Sequence, residues 1–367
     1  MILAGHLVRE LLATLFVVTV VLLSVSVGAR LLDYVGEVAQ GGFAASALWP
    51  LLALRVPLFA QLVLPLSVFI AIVLTLGRAS SDLELGAMHA AGGAPLRVAA
   101  AVFAVVVPMA ALVGAVSLSY APAAAARLAA LVEHQRRTHD LSLVAPRRFI
   151  GFADGRRVSY VDAVQARGQV LRGVFIAERA PRPVAAPAAA ASGASPMTLI
   201  WAATGRQRRD SRTGASYLEL WDGHRYRGVP GDGAFQVTAF ARLGQRLPGP
   251  RTLLNVAPLR ARPTWTLLAG DAQAVAEWHW RWSLPVFTLV AGLLAVVCGP
   301  VPPRAGRFAR MAAALTLFLV YLGVLFAGRD LLDRGVTFGP GGLLWLHLPF
   351  ALVGAVALYR QQWRART

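Results

Sequence analysis

Long apolar runs occupy both ends of this chain, and a polar block of different texture separates them. A membrane crossing by a helix needs about 20 mainly apolar residues. Leu11 to Ala29 meets that length after a short lead containing Arg9 and Glu10. The run is longer than the roughly 7–15 apolar residues of a signal-peptide core, and it lacks a good A-x-A cleavage site. It therefore reads as an uncleaved first helix. A second span lies within Leu48 to Leu76, interrupted by Arg55, Pro57 and Pro65, and a third runs from Val98 to Leu118 around Pro108. Prolines are tolerated in membrane helices where neighbouring groups satisfy the freed carbonyls, and they commonly mark kinks. Beyond the polar block, Leu284 to Val297 makes a fourth span once Trp278, Trp280 and Trp282 are added, tryptophans that suit a membrane–water interface. Met311 to Ala327 and Leu343 to Tyr359 supply the fifth and sixth. The pattern predicts an α-helical integral membrane protein with six transmembrane helices, three on each side of an insert. The expected parts are residues 1–118, 119–282 and 283–367.

Inside the insert the period changes to that of strands. Arg148 to Gly155 and Arg157 to Val164 flank a turn containing Asp154 and Gly155, a strong hairpin signal. Val170 to Glu178, Met197 to Thr204, Ala215 to Trp221 and Ala234 to Ala241 are further strand candidates with turn residues between them. Short strands without a long amphipathic helix predict an all-β domain, a sandwich or jelly roll. The Ala/Pro/Ser tract from Pro181 to Pro196 cannot supply a core and is expected to be a flexible loop within that domain. Alternation places Phe149 with Gly151 on one face, and Val158 with Tyr160 and Asp162 on one face. It does not say which face is inward.

Composition supports the membrane class: 57% of the residues are hydrophobic, 15% are charged and the mean hydropathy is +0.58. All 36 basic residues of the Lys+Arg set are arginines. A chain without lysine cannot form the phosphate-binding loop GxxxxGK[ST], whose lysine reaches the β- and γ-phosphates. If ATP drives this protein, another chain holds the nucleotide. The +18 net charge is uneven, since Ser119 to Trp282 carries 23 Arg against 11 Asp and Glu. Such a block attracts anions. Cys298 is the lone cysteine, which excludes an intrachain disulfide and a CxxC metal site. Neither HExxH nor GxSxG occurs, so no catalytic residue, metal or cofactor is expected. Arginines also orient the spans. With the N-terminus inside, the cytoplasmic segments hold Arg9, Arg78, Arg97, Arg304, Arg307, Arg310, Arg360, Arg364 and Arg366, and the short outer loops hold Arg30, Arg329 and Arg334. The bias puts both termini in the cytoplasm and the insert outside it.

The loop between spans two and three carries the sharpest signal. Ser81 followed by Glu84 fits a capping box, and Gly92, Gly93 and Pro95 give a stop. The expected helix, about residues 81–92, is roughly 15 Å long and too short to span. Glu84, Met88 and Ala91 fall on one face, offering a carboxylate beside an adaptable apolar side chain. A short helix of this kind suits a membrane domain pushed by a soluble motor, and equally an interfacial cap on a helical hairpin.

Leu74 to Gly92 resembles the coupling-helix region of the lipopolysaccharide export permeases, the LptF/LptG family. Leu7 to Glu10, Ala60 to Ser67, Ala276 to Arg281 and Pro303 to Arg307 agree with the same family, as does the layout of six spans around a β-jelly roll. Leu7 to Glu10 and Met88 to Gly92 look closer to the LptF branch than to the LptG branch. The resemblance implies a heterodimer with LptG and two copies of the cytoplasmic ATPase LptB. It also implies that lipopolysaccharide, and not nucleic acid, is the anion met by the basic insert. The lipid would leave the inner membrane and pass through β-jelly rolls, with LptC, to the periplasmic bridge protein LptA. Glu84, Met88, Ala91 and Gly92 would then couple to the ATPase, and Phe149, Gly151, Val158 and Tyr160 are candidates for the substrate path. Arg30 matches a cationic family position facing the phosphorylated head, where a guanidinium can bind phosphate bidentately. Asp33, one turn on, stands where relatives often carry another basic residue. Two other classes compete with an ATP-driven permease: a non-transporting anchor for the β-domain and an ion-coupled transporter. The latter calls for ionisable residues inside the spans.

Overall fold

The computed structural model describes residues 2–39, 45–90, 95–139, 147, 149–152, 157–165, 170–179, 196–209, 216–229, 235–246, 258–302, 306, 308–336, 339 and 341–364. Helices among these residues are α1 (Ile2–Ala39), α2 (Leu48–Ser81), α3 (Glu84–Ala90), α4 (Pro95–Ala115), α5 (Ala121–His139), α6 (Ala272–Cys298), α7 (Met311–Asp333) and α8 (His347–Arg364). Among the described residues, six helical stretches are long and apolar enough to cross a membrane: Gly5–Gly36, Leu48–Ser81, Pro95–Glu133, Ala272–Cys298, Met311–Asp333 and Gly342–Trp363. Each contains one of the six expected spans. The chain divides into two compact units, a helical one (residues 1–32, 49–131 and 256–367) and a second (residues 33–48 and 132–255) that holds the strands.

The helical unit packs aromatic rings in its centre. Phe318 lies 4.9 Å from Phe69 and 5.2 Å from Phe287 between ring centroids, and Tyr321 lies 4.1 Å from Phe350. Between apolar helices in lipid, such van der Waals contact does much of the work that water exclusion does elsewhere. Gly292 lets α6 approach α4, because a Cβ there would stand 2.7 Å from Cγ1 of Val106. On α1, Leu7, Leu11 and Leu15 are buried at helical spacing while Leu12, Phe16, Val17 and Val20 are exposed. A helix apolar on all sides suits lipid or a partner helix rather than water.

At Pro285 a side chain satisfies the backbone carbonyl that the proline leaves free. Pro285 lies inside α6 and removes the N–H that would bond the carbonyl of Arg281. Ser117 Oγ donates to that carbonyl instead, at 3.2 Å. Ser117 belongs to Val116–Tyr120, a single π turn joining α4 to α5. Helix therefore continues beyond residue 118, and the insert is smaller than residues 119–282. Residues 119–131 and 256–282 belong to the helical unit. The cause is a second buried stripe, Ala121, Ala124, Ala125 and Leu128, whose small residues read as weakly apolar in sequence.

The described residues of the insert between 149 and 246 are built of strands, as expected. Strands β1 (Phe149–Phe152), β2 (Arg157–Gln165), β3 (Val170–Arg179), β4 (Met197–Arg209), β5 (Ser216–Gly228) and β6 (Phe235–Arg246) form one antiparallel sheet in chain order. It is an up-and-down meander, and no second sheet occurs among the described residues. All of the Pro181 to Pro196 tract except Pro196 lies outside the described residues.

A crease crosses this sheet. Pairing runs through Val161, Val174, Ala202, Gly223 and Phe240, then skips Asp162, Gly173, Ala203, Asp222 and Ala241 before resuming. Gly173 and Asp222 hold left-handed backbone there, at φ 61° and 53°. The buried parity changes at the crease. On β3, Val174 and Ile176 are buried on one side of it and Leu171 on the other. All three join Val161, Ile200, Ala202, Leu218 and Leu220 in one apolar cluster. The crease thus folds two halves of a single sheet around a common core.

Candidate functional site

At the corner between α2 and α3, the guanidinium of Arg78 gathers three carboxylates. Its Nε and Nη2 donate to the two oxygens of Glu10 on α1, its Nη1 donates to Asp82 Oδ2 at 3.2 Å, and its Nη2 lies 3.8 Å from Glu84 Oε2. The fork geometry of arginine makes the Glu10 contact bidentate. His6, Glu10 and Glu84 also bring ligand atoms within 4.8 Å of one another. Both Glu10 oxygens are occupied by Arg78, so the grouping is an ion-pair cluster. The expected capping box is not formed. Ser81 Oγ donates to the carbonyl of Gly77 at 3.0 Å and so closes α2, while Leu83 turns through φ 60° and α3 begins at Glu84. Glu84 is consequently partly exposed, held only at a distance by Arg78. Met88 lies on α3; Ala91 and Gly92 lie outside the described residues.

Arg30 sits half-buried on α1 with Asp33 exposed one turn on, and each is engaged by a partner. The four strand candidates converge. Phe149 pairs with Tyr160 and Gly151 with Val158, so all four share one side of the sheet. The rings of Phe149 and Tyr160 are 4.9 Å apart, and Phe149 is 71% exposed. The side they share is opposite the one bearing Val161, Val174 and Ile200. Phe175 and Trp201 extend it across the next strands.

Two polar groupings inside the helical unit were missed from sequence. The first centres on Arg281 of α6, which is 2% exposed. Its Nε donates to Glu277 Oε1 at 3.0 Å and its Nη1 to Thr264 Oγ1 at 2.9 Å. Further bonds reach the carbonyls of Arg262 at 3.0 Å and of Leu259 and Arg260 at 3.2 Å. Thr264 Oγ1 in turn donates to the carbonyl of Leu118. The other Glu277 oxygen accepts from Arg329 of α7, whose guanidinium lies 5.0 Å from the Trp280 ring. Trp280 is therefore a buried partner, stacked on Phe326 at 5.0 Å, and not an interfacial belt residue. The grouping lies ahead of the expected fourth span, Leu284 to Val297, and within α6. Its only sequence signal was the i,i+4 spacing of Glu277 and Arg281.

The second grouping joins α6, α7 and α8. His347 Nε2 lies 2.8 Å from Ser283 Oγ, and its Nδ1 meets the hydroxyl of Tyr321. A hydroxyl beside an imidazole resembles part of a hydrolytic triad, but the third member is a phenol and Ser283 is fully buried. The arrangement is a polar lock between helices, worth about 0.6 kcal/mol per hydrogen bond on average in membrane interiors.

The family model described as "Lipopolysaccharide export system permease LptF/LptG" matches residues 5–360. The chain is similar to the lipopolysaccharide export system permease protein LptF of Escherichia coli (strain K12), 27% identical over 361 residues, with 96% of this chain and 94% of that protein covered. The LptF of Shigella flexneri matches to the same extent, 27% identical with the same coverage.

Proposed function

Because the chain belongs to the lipopolysaccharide export system permease LptF/LptG family, we propose that it is the LptF-type subunit of an ATP-driven transporter that extracts lipopolysaccharide from the inner membrane. It pairs with an LptG subunit and is driven by two copies of LptB, since a lysine-free chain has no phosphate-binding loop of its own. LptC and LptA receive the lipid from the β-domain. Both termini and α3 face the cytoplasm, and the sheet lies in the periplasm, a reading supported by the arginine bias.

The observation that carries this reading is the placement of two elements within a family-length chain. A helix of 7 residues, with a partly exposed carboxylate at its start, joins spans two and three, and an apolar-cored sheet is inserted between spans three and four. The first suits a motor contact and the second an amphiphile. Arg30, on the first span, is a candidate head-group contact. Phe149, Gly151, Val158 and Tyr160 mark the outer side of the sheet as a second candidate path, to be compared with the buried side.

Reconstitution tests the assignment. Proteoliposomes containing this chain, LptG, LptB and LptC should deliver lipopolysaccharide to LptA on addition of ATP. ATP hydrolysis without delivery, in a preparation where the LptF of the E. coli relative succeeds, would leave the chain as an anchor.

A further inference from the structure

A single guanidinium joins three helices at the corner that leads into α3. Arg78, in the last turn of α2, donates from Nε and Nη2 to the two oxygens of Glu10 on α1 and from Nη1 to Asp82 in the turn. Its Nη2 also lies 3.8 Å from Glu84, the first residue of α3. His6 of α1 stands beside the same two glutamates. The Glu10 side chain is 19% exposed, so its pairing with Arg78 is screened less than a surface ion pair. α3 also packs Leu85 into the helical core. Apolar contact has no preferred direction and lets one helix slide over another. A bidentate guanidinium–carboxylate pair fixes direction as well as distance.

The far side of that pair is a helix held at its foot. Leu7, Leu11 and Leu15 of α1 are buried in the apolar core of the helical unit, none of residues 16–33 is buried, and no proline interrupts the helix. Tyr34, the next buried residue, is grouped with the second unit. Glu10 lies among the three leucines, so a pull on its carboxylate acts where α1 is seated. Glu10 to Leu32 spans about 33 Å at 1.5 Å per residue, and a tilt of about 10° at the foot displaces Leu32 by about 6 Å. We propose that Arg78 is a positioning residue for energy coupling: it passes displacement of α3 to α1 through the Glu10 carboxylate, and so leans the outer part of α1 when the motor moves. This rests on the reading above in which α3 meets LptB. It adds the helix that receives the movement and the ion pair that transmits it.

The test uses the complete transporter in proteoliposomes, this chain with LptG, LptB and LptC, and with LptA as acceptor. The first readout is lipopolysaccharide delivered per ATP hydrolysed. The second is the distance, by electron spin resonance, between nitroxides on Leu32→Cys and Val336→Cys, both exposed positions, in a Cys298→Ala background with cysteine-free partner chains. Without further substitution, that distance should differ between the nucleotide-free and the vanadate-trapped transporter. Glu10→Gln and Arg78→Gln should each lower delivery per ATP about fivefold, inside the range for residues along a coupling path, and abolish the distance change. Combining them should cost no more than either alone, because both remove the same contact. Arg78→Lys should recover part of the loss, since an ammonium keeps the charge without the fork. If Arg78→Gln does not assemble, Glu10→Gln decides the matter, because it removes the same bond from the other helix. Delivery and hydrolysis falling in proportion, or losses that add in the combined variant, would make the pair merely structural and overturn the relay. An unchanged ratio with the distance change intact would overturn it too. A transporter that hydrolyses ATP and delivers no lipid even without these substitutions would sink the transport reading itself. One that delivers lipid while the Leu32–Val336 distance stays fixed would leave that reading standing and sink the relay alone.

Discussion

At the scale of single residues, the largest consequences attach to Arg281. An arginine in an apolar helix is costly unless every donor finds a partner, and this one finds Glu277, Thr264 and three carbonyls. Arg281→Met should leave Glu277 with Arg329 alone and strip the segment 258–264 of its donors. The expected loss is about 3–5 kcal/mol, the usual cost of removing one partner of a buried pair. It should appear as a lower thermal transition of the purified chain in detergent. Arg281→Lys should fall between, because an ammonium keeps the charge and loses the planar fork. An unchanged transition for Arg281→Met would show that the network contributes nothing to the fold. In sequence, Glu277 and Arg281 were visible only as charges leading into span four. Their burial depends on residues 258–264 and on Leu118, which no periodicity brings to the same place.

At the scale of elements, the helices were the most legible parts, because an apolar run of membrane length has few alternatives. The start of α3 was not. A serine three residues before a glutamate is a capping signal, but Ser81 is spent on Gly77 and the chain turns at Leu83. Glu84 is thus the first residue of α3 rather than the closing member of a cap, and its side chain is partly exposed. Glu84→Ala should therefore leave the thermal transition unchanged while weakening association with LptB more than tenfold, the roughly 1.5–3 kcal/mol of a hydrogen bond to a charged group. Association at the wild-type level, measured by co-purification and ATPase rate, would reduce α3 to a hairpin cap. Strand starts were legible to within one residue, whereas β4, β5 and β6 run several residues past their expected ends. Alternation stops being informative at the crease, where buried parity switches. Gly173→Ala should strain that crease, since it forces φ 61° on a residue with a Cβ 3.0 Å from that of Asp162. A left-handed L-residue costs about 1–2 kcal/mol. Hydrogen exchange across β2 and β3 should then quicken by roughly 5–30-fold, with the exchange of α6 and α7 unaffected. Unchanged exchange in β3 would mean that the crease tolerates flattening.

At the scale of the whole molecule, the helical and β units call for different surroundings, and the arginine bias is the argument for the side proposed for each. The layout of three spans, sheet and three spans followed from hydropathy alone, while the boundaries of the insert did not, because the helix runs on through the π turn into small, weakly apolar residues. Positive charge near span ends resists translocation, so the side carrying nine arginines, against three on the other, should stay in the cytoplasm. On the proposed orientation, α3 would meet a cytoplasmic motor and the sheet would meet lipid leaving the membrane. Single cysteines at positions 306 and 335, in a Cys298→Ala background, test it with a thiol reagent that does not cross membranes. In intact spheroplasts, position 335 should react and position 306 should not; in inverted vesicles the pattern should reverse. Reaction of position 306 from outside would invert the topology, strand α3 away from ATP and remove the basis for assigning it to the motor.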